Sequence, residues 1–460
     1  MKATKLFLAL TILATSIFVQ TRGAYASDSD KIEKLIQNYK HDSKCNSVSV
    51  VVIKDETVCF YGDSESLYQI GSMTKAFTGL AVQKLIAEGK VDEDAVISDY
   101  IPGFESYYNS AKVDITVRNL LEQKSGYTNN KKDYPSASED MTLTDWADSI
   151  SGLELKSMPG TEYAYSNVNY NLLGLIIENV SNMSYRDYME EEMLAPLGLE
   201  NTRVGTVADK NIIEGSRLGY RHAYDYSIAV KEACIPAGYF YSNSEDMGKW
   251  IKIWTGSEDI PDDLREPLIK IKDYLTEEGD YYSGWELFAD GVIGHSGGTA
   301  NYSSRIVFDE NKKNGVCVLS NLNVAATTDS LCNSIFDIVS GKEARGLTED
   351  IWTIFDKIFS LLTMIAVLLL ISAIKSRSRC FFLTVDVILT IVLILIFILF
   401  PIIFGADMKE ILFKWAPWSL TGGLLSLACV VAVISVKLLM VKKYGDNNKT
   451  GKRQAAYGNS

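Results

Sequence analysis

The residues best suited to chemistry lie in Ile70-Gly71-Ser72-Met73-Thr74-Lys75. Gly71 loosens the backbone just before Ser72, and Leu80, Val82, Leu85 and Ile86 then recur at roughly helical spacing as far as Gly89, which reads as a C-terminal stop. Positions three apart share one face of a helix, so Ser72 and Lys75 present a hydroxyl and an amine side by side. A serine hydroxyl is a weak nucleophile until a base removes its proton. A lysine supplies that base when desolvation depresses its pKa. A helix N-terminus also offers backbone N–H groups to developing negative charge. Spacing alone does not decide the matter, because Ser372 and Lys375 repeat it at the end of an apolar run where no chemistry is apparent.

Two further stretches carry suitable groups. Tyr165-Ser166-Asn167 places a phenol and an amide two apart on a turn, after the break at Met158-Pro159-Gly160. Both side chains can enter one cleft, with the phenol moving protons; the competing reading makes Asn167 an ordinary N-cap. Gly294-His295-Ser296-Gly297-Gly298 satisfies G-x-S-x-G, the nucleophile elbow of α/β-hydrolases. That fold needs a catalytic histidine after the serine, and none follows His295, so Ser296 is rejected as nucleophile. These residues are expected instead to form an edge strand lining a cleft, where the glycines admit a substrate backbone and an N–H points at an oxyanion.

The elements around these stretches run in a definite order. Ser47–Ile53 and Thr57–Tyr61 read as a hairpin across Lys54-Asp55-Glu56. Helices follow over Ile115–Gln123, with Thr116 as N-cap, over Leu143–Ile150, after Asn167, over Tyr185–Met193, and near Asp246–Trp254. Strand-like pieces come at Gly284–Phe288, Tyr302–Asp309 and Gly315–Ser320, and Leu331–Val339 closes as a helix. Strands, a long helical insert, then strands and a helix give an α+β fold with an antiparallel sheet faced by helices. Five cysteines in this head leave room for one disulfide of unreadable pairing. Three histidines and no H-E-x-x-H argue against a metal site, and no cofactor is implied.

The net charge of −13 argues against nucleic acid as a partner. Residues 351–460 carry 12 Lys/Arg against 5 Asp/Glu, or +7, leaving −20 on residues 1–350. An acidic head suits solvent and a basic end suits a lipid bilayer. Lys2 and Lys5, an apolar run from Leu6 to Val19 and Ala24-Tyr25-Ala26 form a signal peptide over residues 1–26. The expected organisation continues with a catalytic domain over 27–340, a linker over 341–353, three membrane helices within 354–441 and a basic tail over 442–460. Those spans run from Ile354 to Ile374, Phe381 to Phe404 and Trp418 to Met440. Lys375, Arg377 and Arg379 between the first two, and the basic tail after the third, face the cytoplasm by the positive-inside rule. The head is then extracytoplasmic on a multi-pass cell-membrane protein, as the signal peptide independently requires. Trp415 and Trp418 fit an interfacial belt, and Lys437 is expected to snorkel. Asp386, inside the second span, is a functional candidate or a helix-packing carboxylate.

Taken in order, Ser72-x-x-Lys75, Tyr165-x-Asn167 and His295-x-Gly297 resemble the serine β-lactamase and penicillin-recognising superfamily, over about residues 30–340. The branch it resembles most holds class C β-lactamases, D,D-peptidases and D-aminopeptidases. Leu120-Leu121-Glu122-Gln123-Lys124-Ser125-Gly126, Pro159-Gly160, Leu172-Leu173-Gly174 and Pro196-Leu197-Gly198 agree with it. The resemblance implies an antiparallel sheet flanked by helices with an all-helical subdomain. It implies that Ser72 forms an acyl-enzyme, that Lys75 and Tyr165 share the general-base work, and that Asn167 binds the substrate amide. It further implies that His295 and Gly297 contact substrate and that the Ser72 and Gly298 N–H groups form the oxyanion hole. His295 stands where β-lactamases usually carry lysine, which favours a peptidase or esterase over β-lactam hydrolysis. Gln123-Lys124-Ser125-Gly126 departs from the usual His-Thr-Ser-Gly with no functional consequence evident in sequence. The domain followed by three spans is similar to membrane-bound prodrug-maturing peptidases. The implied substrate is a cell-wall peptide or an acyl-D-amino-acid group. The rival of another class is a membrane sensor that is acylated once by its ligand.

Overall fold

The computed structural model describes residues 28–130, 133–206, 208–375 and 379–457. The expected signal peptide and Arg377 lie outside them. The described residues fall into two compact units, one of 28–129, 133–206, 208–216 and 225–350, the other of Asn130, 217–224 and 351 onward.

The first unit is built on a seven-stranded sheet. Its order is Tyr281–Tyr282, Trp285–Leu287, Ile293–Gly298, Ser303–Asp309, Asn314–Ser320, Val48–Lys54 and Thr57–Tyr61, antiparallel throughout. Every residue of Ser303–Asp309 and Asn314–Ser320 is buried. Strands covered on both faces need near-continuous apolar sequence, as Gly315–Leu319 supplies. A helix over 28–43 packs on one face with the helix Ala325–Val339, and the Tyr39 hydroxyl bonds Ser320 at 2.8 Å and Thr328 at 2.9 Å. On the other side, Phe77 stacks on Trp250 at 4.2 Å, and Trp254 and Trp285 extend that aromatic core to Phe308.

Most expected elements stand near their expected limits. The helix capped by Thr116 is Val117–Leu121, its cap a reciprocal one with Asn119. One reading is corrected. The strand Ile293–Gly298 is third from the sheet edge, not the edge itself. Its outer neighbour pairs only Glu286 with Gly294 and Leu287 with Ile293, so the His295–Gly298 half still lacks a strand partner on that side. The helices 28–43 and Asp262–Glu277 were not expected. The second was hidden by Pro267, although Leu264, Leu268, Ile271 and Leu275 hold helical spacing along its buried face. Cys45, Cys317 and Cys332 are buried as free thiols.

The second unit has three helices long and apolar enough to cross a membrane: Ile351–Ala373, Phe381–Ile403 and Trp418–Met440. They present exposed Leu368, Ile388, Ile402 and Leu439 outward. Arg217, buried in this unit, donates to the carbonyls of Leu412, Phe413 and Ala416 at 2.5, 2.8 and 2.6 Å and lies over the Trp418 ring. Asp356 accepts from Ser419 and the Arg221 N–H. Asp386 accepts from Ser435 at 3.0 Å, a contact between two helices. The Lys437 ammonium donates to the Ala373 carbonyl, at the end of the first of these helices.

The sheet meets the Ser72 helix through Gly284. Its φ is +88°, and a Cβ there would stand 2.3 Å from the Ala76 nitrogen and the Lys75 carbonyl carbon. Only glycine holds that conformation without strain and leaves room for the helix backbone. Gly284→Ala is expected to destabilise the head by about 3 kcal/mol, seen as a lowered thermal unfolding midpoint. An unchanged midpoint would contradict this packing.

Candidate active site

Ser72 sits in a single 3₁₀ turn, Gly71–Met73, that leads into the helix Thr74–Ala87. Gly71 has φ +53°, and a Cβ there would stand 2.3 Å from the Gly298 nitrogen. That close approach sets the turn carrying Ser72 against the strand Ile293–Gly298. Twelve of the helix's fourteen residues are buried. Lys75 is fully buried, whereas Ser72 remains partly open to solvent.

The Lys75 amine has three oxygens around it: Ser72 Oγ at 3.0 Å, Asn167 Oδ1 at 2.7 Å and the Ala237 carbonyl at 2.6 Å. The amide and carbonyl oxygens can only accept. A neutral amine gives its two N–H bonds to them and turns its lone pair toward the Ser72 hydroxyl. Among the described residues no carboxylate pairs with Lys75. The Tyr165 and Tyr170 rings lie 4.9 and 5.6 Å from its nitrogen. Burial pushes its pKa well below the ordinary 10.5, with only a weak opposing pull from Cys234.

Tyr165, Ser166 and Asn167 are set by a helix start and a buried glutamine. The N-cap of Asn167–Ser181 is Ser166, whose hydroxyl accepts from the Val168 N–H. Asn167 is thus the first helical residue, and its side chain is free to reach Lys75 and, at 3.3 Å, Asn129. Gln123, in a left-handed conformation at φ 58°, accepts from the Ser166 N–H at 2.9 Å and from Asn169, and its carbonyl accepts from the Ala164 N–H at 2.8 Å. Ser125 donates to Asn169 at 2.5 Å. The segment Gln123–Ser125 therefore acts as a clamp on the tyrosine turn, a role its sequence did not disclose. Only the left-handed backbone, invisible in sequence, explains it. The Tyr165 hydroxyl is buried with no hydrogen bond of normal geometry. Burial raises its pKa, opposed by the adjacent Ser72 hydroxyl.

His295 completes the wall, its ring centroid 6.0 Å from those of Tyr165 and Tyr281. Its Nδ1 lies 2.6 Å from the Ser296 carbonyl, which can only accept, so Nδ1 carries the proton. Burial first, then the nearby Lys75, lower its pKa to about 3. The imidazole is neutral and its buried Nε2, without a partner, is an acceptor. Gly297 packs against the Ile70 carbonyl, and Gly298 is exposed beside Ser72's turn. Ser296 belongs to a separate network, accepting from Arg305 at 2.6 Å and donating to Asp329 at 3.0 Å. The fold thus gathers Ser72, Lys75, Tyr165, Asn167, His295, Gly297 and Gly298 around one cleft. Sequence reasoning missed Gln123 and the Ala237 carbonyl, the latter a backbone atom that no side-chain pattern reveals.

The Beta-lactamase family model matches residues 32–333. Protein flp of Staphylococcus aureus (strain N315) is 31% identical over 315 residues, 64% of this chain and 63% of that protein. A putative D-alanyl-D-alanine carboxypeptidase of Escherichia coli (strain K12) is 29% identical over 243 residues, 44% of this chain and 55% of its own. The chain thus spans less than two thirds of the length of these relatives. Among solved structures, the octameric penicillin-binding protein homologue from Pyrococcus abyssi superposes with a TM-score of 0.61 at 23% identity, covering 72% of this chain and 81% of that one. A class C beta-lactamase superposes with a TM-score of 0.57 at 18% identity, covering 68% and 96%. These likenesses agree in fold with the sheet and helices described above. With its matched region covering well over half its length, the chain belongs to the beta-lactamase family.

Proposed function

We propose that the protein is a membrane-anchored, extracytoplasmic serine peptidase that cleaves an amide next to a D-configured residue through an acyl-enzyme on Ser72. The observation that carries this reading is the buried, carboxylate-free Lys75 amine 3.0 Å from the Ser72 hydroxyl. Lys75 takes the Ser72 proton as the oxygen attacks the substrate carbonyl. The N–H groups of Ser72 and Gly298, brought together by Gly71, receive the oxyanion. The protonated Tyr165 phenol gives its proton to the departing amine and is resupplied from the Lys75 ammonium. Water then enters, loses a proton to the same pair and releases the acid. Asn167 and Gly297 hold the substrate amide and backbone. The neutral His295 offers an acceptor and no positive charge, which favours amides or esters over the carboxylate of a β-lactam. The three apolar helices anchor the domain, with the signal peptide and the basic loop setting its side.

The reading is tested on purified full-length protein with acyl-D-amino-acid amides, muropeptides, their L counterparts and simple esters. Steady turnover of D-amides, with mass-identified acyl-Ser72 and loss of serine-probe labelling in Ser72→Ala, is expected. Labelling that persists in Ser72→Ala, or one-time acylation without release, would overturn it; the second outcome is that of a sensor. Turnover of esters alone makes the protein an esterase.

The pH dependence has a definite sign. Lys75 works as the neutral amine, so kcat/KM rises with pH through its depressed pKa and levels off well below 10.5. Burial and Lys75 lower the His295 pKa to about 3, so His295 adds no inflection of its own around 6.5. Lys75→Met should remove the rising limb and lower acylation by about a thousandfold. A limb that survives in Lys75→Met would contradict the Lys75 assignment, and one centred near 6.5 in that variant would contradict the His295 assignment as well.

A further inference from the structure

Residues 217–224 belong to the second compact unit, although they precede its first helix by a long stretch of chain. They make up most of a hairpin in which Ser216–Gly219 pairs with His222–Asp225. Two residues turn it, Tyr220 and Arg221, both left-handed at φ 51° and 62°. Such a turn favours asparagine and glycine, so two bulky residues there carry strain. That strain is held by contacts with the ends of two apolar helices. Arg217 donates to the carbonyls of Leu412, Phe413 and Ala416, just before the helix that starts at Trp418. Gly219 packs on the Trp418 side chain, and the Tyr220 hydroxyl lies against Gly422. The Arg221 N–H donates to Asp356 at 2.8 Å. Asp356 and Gly422 lie five and four residues inside Ile351–Ala373 and Trp418–Met440. At the helical rise this puts the hairpin tip about 6 to 8 Å inside the ends of those helices. The basic loop and tail lie at their other ends, so the positive-inside rule puts the hairpin end outside. At that depth a bilayer offers its headgroup layer, apolar on one side and wet on the other. The hairpin turns suitable side chains outward. His222 and Tyr224 are exposed with their rings 4.7 Å apart, and Tyr220, Phe413 and Ile351 are exposed in the same unit. A tyrosine has an apolar body and a polar tip, which suits such a boundary better than water or hydrocarbon alone.

We propose that the 217–224 hairpin is a further membrane contact of the chain, with His222 and Tyr224 seated in the headgroup layer of the outer leaflet and the Tyr220 ring beside them. The inference rests on the membrane-anchored reading and goes beyond its three spans. The partner is a lipid surface: the Tyr224 ring lies against the top of the acyl chains and its hydroxyl reaches headgroup oxygens. Arg217 and the Arg221 N–H tie the hairpin to the helix ends and so fix its depth.

The test places a genetically encoded coumarin amino acid at position 224 of the full-length protein in phosphatidylcholine nanodiscs. The exposed Tyr224 side chain accepts it without disturbing a core. A second sample carries the same probe at Leu395, exposed within Phe381–Ile403. The lipid carries a nitroxide either on its headgroup or at the midpoint of an acyl chain. At position 224 the headgroup nitroxide is expected to quench about twofold more than the chain nitroxide, and at position 395 the order should reverse. If position 395 responds and position 224 is quenched by neither lipid, the hairpin contact is wrong and the anchor stands. Stronger quenching at position 224 from the chain midpoint also overturns the contact, because the tip would then lie in hydrocarbon. No quenching at either position retires the anchor and the hairpin contact together. Headgroup quenching at position 224 alone supports the contact and retires the second span.

Discussion

Everything in the head converges on how one amine is held. The Lys75 nitrogen meets two oxygens that can only accept and one hydroxyl that can also donate. Three acceptors would also satisfy the N–H groups of an ammonium, but among the described residues no carboxylate compensates its charge, so burial favours the neutral amine. The cost of burying an ammonium without a partner is several kcal/mol, so the fold sets the protonation state by exclusion. An amine held in this way can accept a proton without help from a histidine, and the imidazole of His295 is uncharged.

The scaffold serves that arrangement through backbone contacts. Gly284 lets the sheet reach the helix at Lys75, and Gly71 lets the Ser72 turn reach Gly298. The Ala237 carbonyl comes from a third part of the chain. Asn167 arrives because Ser166, one residue earlier, caps the helix and frees the amide. Gln123 then holds the tyrosine turn in place from behind. The groups of the candidate site thus come from several elements, and these are locked together by a core in which Phe77, Trp250, Trp254 and Trp285 interleave.

Much of this was legible in the residues. Ser72 and Lys75 stand out because helical spacing forces their proximity, and the strands of the main sheet announce themselves by unbroken apolar runs. The Thr116 cap was legible for the same local reason. What sequence hides is non-local. The strand carrying His295 looked like an edge because its neighbour is only three residues long. The helix Asp262–Glu277 was masked by Pro267, which sits in its second turn and forfeits a single backbone bond. The clamp made by Gln123 depends on a positive φ, and the tautomer of His295 depends on where the next carbonyl points.

The central claim is that Lys75 rests uncharged, and direct titration of that amine tests it best. Lysine Cε resonances of ¹³C-labelled protein can be followed against pH, with Lys75→Met assigning the signal. The account predicts one lysine titrating well below 10.5, lost in the variant. If every lysine, Lys75 included, titrates at or above 10.5, the amine is an ammonium at rest and cannot be the base.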